Sequence, residues 1–413
     1  MNLKDIYQKF KNNEEKFNHF LDEKFQKNRP LLYLSCDIRH SGNKLAVIDS
    51  NLYPAGFNNL CKAFTEKAIQ SFQHYLESYY PQTKQIVIFT EAHTRNKFYF
   101  ENLFRLAEIL TSAGKEVKLA TVSSDFSDDV TSLYLENNKT IELYQLKKNE
   151  NRIFVGNDWV PDLIISNNDF SSGIDPILLN IEQPVIPPLE LGWYQRRKSN
   201  HFELYNQISE EVGELIDLDP WMFSTLFTSE KNVDLTDTSS MERLAKKVDE
   251  TLALIQKKQD QYHIQTAPYV FVKNNSGTYG MGVTYVTSGE EILNMNRKLR
   301  NKMGASKGGN QATEYIIQEG IITADSYSGY PIEPVIYMVG KNPIGGFFRL
   351  NELKDEWSSL NTKGMAFACL CLHKLDEPHE GTYIKCQEKE ILVQSCFYLA
   401  QIAALAAAKE VII

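Results

Sequence analysis

Leu3, Ile6, Tyr7, Phe10, Phe17, Phe20, Leu21 and Phe25 recur at helical spacing, which predicts an amphipathic helix over residues 1–28. The period then changes. Short apolar runs at Leu31–Cys36, Gln85–Thr90, Val117–Val122 and Asp162–Ser166 are bounded by polar or turn residues. Their length suits fully buried parallel strands. Helical stretches at Phe57–Tyr79 and Lys97–Ser112 separate the first three. This alternation predicts an open, mostly parallel α/β sheet domain over residues 29–190.

Pro187-Pro188 is a stiff connector into a second region, residues 191–413. Trp193–Val212 and Met241–Tyr262 read as helices, Tyr269–Leu372 as strand-rich with glycine turns, and the Ala-rich end from Glu390 as a helix. The stretch Ile391–Ile413 is apolar but interrupted by Gln394, Gln401, Lys409 and Glu410, so it reads as buried rather than membrane-spanning.

Composition narrows the function. With Lys+Arg 44 against Asp+Glu 53, the chain of 413 residues carries −9, which disfavours a nucleic-acid partner but allows a local basic pocket for a small anion. Six cysteines over this length do not make a disulfide framework, and residues 1–27 have no signal-segment pattern. A soluble cytoplasmic protein with reduced thiols is expected.

The sharpest chemical feature is Lys273-Asn-Asn-Ser276-Gly277-Thr278-Tyr279-Gly280-Met-Gly282, a glycine-rich loop between two alternating strands, with a lysine at the exit of the first. Glycines let backbone N–H groups approach a polyphosphate, and the lysine adds a point charge. Neither a Walker-type loop nor a dinucleotide-binding strand–loop–helix unit is present. Downstream, the strand ending in Gln318-Glu319 can offer backbone groups to an adenine edge and a carboxylate to ribose hydroxyls. Arg349, on a later strand, would stabilise phosphoryl charge.

In the first region, Asp37 and Arg39 follow the first predicted strand, Glu91, His93 and Arg95 the second, and Asn167, Asn168 and Asp169 the fourth. Ligands of open α/β sheets bind beyond the carboxyl ends of strands. Polar residues of both signs there suit a zwitterion, arginine meeting a carboxylate and an acid an ammonium. Arg196, Arg197 and Lys198 enter the helix that opens the second region. Cys369, Cys371 and His373, with His379 nearby, could ligate zinc, but a buried structural role is the simpler reading.

The order of glycine-rich hairpin, strand-end hinge and acidic–arginine–asparagine series resembles the ATP-grasp superfamily, and more closely the proteobacterial ATP-grasp type of glutamate–cysteine ligase. The Lys273–Gly282 loop carries much of the match, together with Asp37-Ile-Arg39, Lys44–Asn59 and Glu91–Asn96. It runs from about Pro30 onwards. The resemblance implies an ATP-grasp domain at 191–413 and ATP with Mg²⁺. It also implies an acyl phosphate on the γ-carboxylate of L-glutamate, displaced by the amine of L-cysteine to give γ-glutamylcysteine. Lys198, Lys273 and Arg349 would then steady phosphate charge, with residues 276–282, Gln318 and Glu319 holding the nucleotide. Asp37, Arg39, Asn51, Asn58, Glu91, His93, Arg95, Arg196 and Arg197 would meet the amino acids. Glu333, Asn351 and Asn361 stand where the family places metal ligands. No Glu-x-Asn triplet follows Arg349, so these three are assigned by position alone. A ligase for other amino acids and a non-catalytic ATP- or amino-acid-binding regulator are the alternatives; a homo-oligomer is left open.

Overall fold

The computed structural model describes all residues except 93–95, 124, 127–128, 136–138, 157, 277–281, 305–311, 371–383, 386–388 and 412–413. Helices α1 (Leu3–Asn12) and α2 (Glu14–Lys27) precede the strand pair β1 (Tyr33–His40) and β2 (Leu45–Asn51). Then follow α3 (Lys62–Tyr79), β3 (Gln85–Phe89), α4 (Lys97–Ser112), β4 (Glu116–Thr121), β5 (Val130–Tyr134), β6 (Thr140–Asn149), β7 (Arg152–Val155), β8 (Leu163–Ser166) and β9 (Val185–Ile186). The chain continues through α5 (Lys198–Ile216), β10 (Phe227–Glu230), α6 (Thr238–Gln261), β11 (Val270–Asn274), β12 (Thr284–Val286), α7 (Gly289–Leu293), α8 (Arg297–Gly304) and β13 (Tyr315–Glu319). It closes with β14 (Ser326–Tyr327), β15 (Tyr330–Val339), β16 (Asn342–Asn351), β17 (Met365–Cys369), β18 (Ile384–Lys385) and α9 (Lys389–Lys409).

The expected single opening helix is two. Asn13 interrupts it by donating its side-chain amide to the Lys9 carbonyl at 3.0 Å, which competes with helix propagation. The apolar stripe survives the break, because Phe10 and Phe17 both pack on Tyr398 of α9.

Parallel pairing does occur, at β6–β4–β3–β8–β9, so the mixed α/β class expected from the alternation is present. The run Leu31–Cys36 is a correction: β1 belongs to a different, antiparallel sheet of order β17-β16-β15-β1-β2. That sheet draws strands from both sides of the 190/191 division. A smaller antiparallel sheet, β10-β13-β11-β12, has a separate core against α6.

Period-two alternation places Tyr33, Ser35, Asp37 and Arg39 on one face of β1. Helix α3 covers part of this face at Gly345, whose φ is +126° and where a Cβ would come within 2.2 Å of Phe64. Only glycine fits there. Helix α9 packs against β1, β2, β15 and β16 of the same sheet. It is long and apolar enough to cross a membrane by composition, yet 78% of its apolar window is buried inside the protein, the signature of a core helix.

Candidate active site

The uncovered end of the β1 face carries a compact charge array. Antiparallel register sets Asp37 opposite Asp49 and Glu333 opposite Arg349. Arg349 Nη1 donates to Asp37 at 2.6 Å and to Glu333 at 2.8 Å. Arg39 donates from Nε to Glu333 at 2.8 Å, and its other nitrogens meet the carbonyls of Ile321 and Ser358.

The smaller sheet faces this array and adds Lys273. Its ammonium donates to the Ile48 carbonyl at 3.0 Å and to Gln318 Oε1 at 2.8 Å, and both partners are neutral. The next residue, Asn274, accepts the Ser276 N–H through Oδ1 at 3.0 Å, shaping the start of the glycine-rich loop, while its buried Nδ2 has no partner among the described residues. Asn275 then caps α5: its carbonyl accepts from Lys198 N at 2.8 Å, and its Oδ1 from Ser199 N at 2.9 Å. The α5 N-terminus lacks a side-chain cap of its own, so this foreign cap satisfies its orphan donors and brings Lys198 into the cleft. There the Lys198 ammonium binds Asp49.

Burial alone would raise both aspartates. For Asp37 burial wins and its carboxyl lies above the ordinary value despite Arg349. For Asp49, Lys198 and Lys273 overcome burial and hold it below. Glu333, between Arg39 and Arg349, is likewise held down against burial. Burial pulls the Lys273 ammonium down to about 8, with Asp49 opposing and Lys198 and Arg39 adding to the fall.

Two chambers open on this array. The first, about 510 Å³, is lined by Arg39, Ile48, Phe271, Lys273, Asn274 and Glu333. The second, about 870 Å³, is lined by Tyr53, Asn59, Asp169, Trp193, Tyr337 and Arg349 among others. Asp37, Asp49, Lys198 and Asn361 line both and form the shared wall.

A family model described as GshA, glutamate-cysteine ligase, matches residues 7–411. The chain belongs to this family. As a member it is a ligase acting on glutamate and cysteine, in glutathione biosynthesis. A solved structure from Methylobacillus flagellatus KT, provisionally named gamma-glutamylcysteine synthetase, is similar with a TM-score of 0.87 and 33% identity. The match covers 98% of this chain and 95% of that one. D-alanyl-alanine synthetase A from Vibrio cholerae matches at a TM-score of 0.34 and 11% identity over 71% of this chain and 76% of that one. A glutathione synthetase-like effector from Globodera pallida matches at 0.34 and 8% over 88% and 79%. Scores that low carry no argument. Comparison with curated proteins gave no match.

For this glutamate–cysteine ligase family member, several expected site residues stand elsewhere. Asp37 and Arg39 lie within an antiparallel strand, not at a parallel strand end, and Arg39 is wholly buried among three acceptors. Arg196 is also buried; Glu410 and Ser50 take its donors. Arg197 pairs with Glu314 at 2.9 Å and lines neither chamber. Glu319 is not free for ribose hydroxyls, because its oxygens accept from Lys44, Trp221 Nε1 and Leu226 N. Gln318 lines neither chamber and meets the site only through Lys273, whose ammonium donates to it. Arg349 lines the second chamber rather than the first. Asn51 lines the second chamber but folds its amide onto its own turn at Tyr53. Asn59, not Asn58, lines that chamber, and Glu91 lines neither.

Ser276 and Gly282 flank the glycine-rich loop, with Gly282 at φ +68°. Gly277, Thr278, Tyr279 and Gly280 lie outside the described residues, as do His93, Arg95, Cys371, His373 and His379. The trio assigned to a metal is not a donor set. Glu333 gives its oxygens to two arginines. Asn351 Oδ1 accepts from Leu353 N at 3.1 Å while its amide turns to Thr362. Of the three, Asn361 alone lines the shared wall, and its side chain makes no hydrogen bond among the described residues. Among the described residues no cluster of metal-ligating side chains occurs.

Residues missed from the sequence are Asp49, Asn274, Tyr53 and Trp193. For Asp49 the alternating runs around Ser41-Gly42-Asn43 mark a hairpin, but its place opposite Asp37 depends on a register shift between Asp37 and Ile38 that the local pattern does not mark.

Proposed function

We propose that the first chamber, between the two antiparallel sheets, binds the triphosphate of ATP, and that the fold from residue 191 onward is an ATP-grasp unit completed by β1 and β2. One observation carries this reading. Among the described residues a buried ammonium, Lys273, has only neutral oxygen partners, and the Asn274 amide, without a partner there, lies beside it in the same chamber. Buried polar groups are normally satisfied, and a polyanion satisfies both. Lys198, now held by Asp49, is the second cation at the chamber wall.

The γ-carboxylate of glutamate attacks the γ-phosphorus of ATP, the bond to ADP breaks, and an acyl phosphate forms. The cysteine amine attacks the acyl carbon, phosphate leaves, and the amine proton is lost to solvent or a carboxylate. Lys273 and Lys198 act by positioning and charge neutralisation. Among the described residues the assigned trio does not fit a bound cation, so Mg²⁺ would come as the counter-ion that travels with the triphosphate, and no step runs through it.

The test is isotopic. Glutamate labelled with ¹⁸O in its γ-carboxylate should transfer one label to phosphate during turnover with ATP and cysteine. Unlabelled phosphate under turnover would exclude the acyl phosphate.

A further inference from the structure

The hairpin that builds the shared wall is irregular at the wall itself. Asp37 pairs with Asp49 but Ile38 pairs with Val47, so Ile48 has no counterpart on β1 and β2 carries a bulge. A bulge breaks the ladder and re-aims the residues around it. Two of those residues serve the site. The Ile48 carbonyl accepts from the Lys273 ammonium at 3.0 Å, and Asp49 accepts from Lys198. With the ladder interrupted beside Asp49, this stretch of β2 takes a second support from outside the hairpin.

Arg196 is that support. Its Nη1 donates to the Ser50 carbonyl and its Nη2 to Ser50 Oγ, both at 3.1 Å. The Ser50 N–H in turn donates to Asp49 Oδ1 at 3.0 Å, the same oxygen that Lys198 binds. Glu410 fixes the guanidinium, accepting from Nε at 2.7 Å and from Nη2 at 2.9 Å. The Trp193 ring carries the Arg196 guanidinium at 4.7 Å and the Lys198 ammonium at 4.8 Å. Arg196 itself is 4% exposed and lines neither chamber, so it acts through its neighbours.

An ion pair with Glu410 alone would use only two of its N–H groups. The planar fork of arginine gives others to the two oxygens of Ser50, a residue that Glu410 does not touch. Buried ion pairs often add no more stability than apolar residues of similar size, so stability alone does not account for this one beside the wall. Its consequence reaches Lys273. Burial lowers the Lys273 ammonium first of all; among the charged groups around it, Asp49 and Asp37 oppose the fall, while Lys198 and Arg39 add to it. Asp49 is the stronger of the two acids there, so a drift of Asp49 shows as easier deprotonation of Lys273.

We propose that Arg196 is a positioning residue: by pinning Ser50 just past the bulge, it sets where Asp49 stands between Lys198 and Lys273. This deepens the triphosphate reading of the first chamber and rests on it. Arg196→Lys keeps the charge beside Glu410 but cannot hold both oxygens of Ser50. Lost hydrogen bonds from a charged group correspond to about 10–100-fold, so kcat/KM for ATP should fall by that much, with its alkaline limb moved to lower pH. Ser50→Ala leaves the Arg196–Glu410 pair whole and should melt as the wild type does. It should move the limb in the same direction, with a loss of at least about threefold. Added to Asp49→Asn, Arg196→Lys should lower kcat/KM by less than about a further twofold, because both act through one carboxylate. If Arg196→Lys melts early, Ser50→Ala carries the test. A limb that stays in place in a folded variant while Asp49→Asn moves it, or losses that multiply in the double variant, would overturn the proposal. A wild-type profile without an alkaline limb, unchanged by Lys273→Ala, would sink the triphosphate reading itself, which is a separate outcome.

Discussion

Asp37 and Asp49 face one another across β1 and β2, yet each leans on a different cation: Asp37 on Arg349, Asp49 on Lys198. The division matters because like charges directly opposite in a sheet repel. It also ties the shared wall to two separate parts of the fold, with Arg349 on the same sheet and Lys198 at the start of α5.

Asp49→Asn should therefore act through the lysines. Asp49 is the chief charge that keeps Lys273 protonated against burial, so its removal lowers the Lys273 pKa further below about 8. The expected result is a fall in kcat/KM for ATP of about 10–100-fold, with the alkaline limb of the pH profile moved to lower pH. A limb that stays in place would separate Asp49 from Lys273.

In the wild-type protein, kcat/KM for ATP should decline as pH rises through about 8, where free Lys273 loses its proton. Bound triphosphate stabilises the ammonium, so the same limb in kcat should lie at higher pH. Lys273→Ala should lower kcat/KM by about 10²–10³-fold, the loss typical of a charge-stabilising donor, with little change in melting temperature.

Glu410, just beyond α9, binds Arg196 at 2.7 and 2.9 Å and His201 Nδ1 at 2.6 Å. Although burial opposes it, these partners hold its carboxyl down at about 2. Its contribution is present above the unfolded carboxylate pKa near 4.3 and is lost as pH falls from there towards about 2. Glu410→Gln leaves a buried arginine without its counter-charge and should destabilise the fold by about 3–5 kcal/mol. Denaturant melts at neutral pH and pH 3 should show that gap narrowing in acid.

Glu319→Ala should reduce stability by a similar amount, about 3–5 kcal/mol, because buried Lys44 would lose its carboxylate partner. Already pulled down to about 8 by burial, Lys44 would then lose its proton more readily. Since Glu319 serves Lys44, Trp221 and Leu226, binding of ADP and of its 2′-deoxyribose analogue should weaken in the same proportion. A selective loss for the ribose form, read by calorimetry, would return Glu319 to the nucleotide site.

The sequence alone determined several of the elements. The run Lys97–Ser112 became α4, the two strands around the glycine-rich loop became β11 and β12, and the Ala-rich end became α9, because each depends on local periodicity. It also marked Lys273, whose place between a strand and a glycine-rich loop is local information. Tertiary structure decided what each charge does. Leu31–Cys36 has the composition of a buried parallel strand, but β15 and β2 pair with β1 antiparallel, and a partner such as β15, some 300 residues away, leaves no local trace. Arg196 and Lys198 sit two residues apart on similar-looking sequence. One is buried against Glu410 and the other reaches the cleft, because only the three-dimensional fold brings Glu410 and Asn275 to the start of α5.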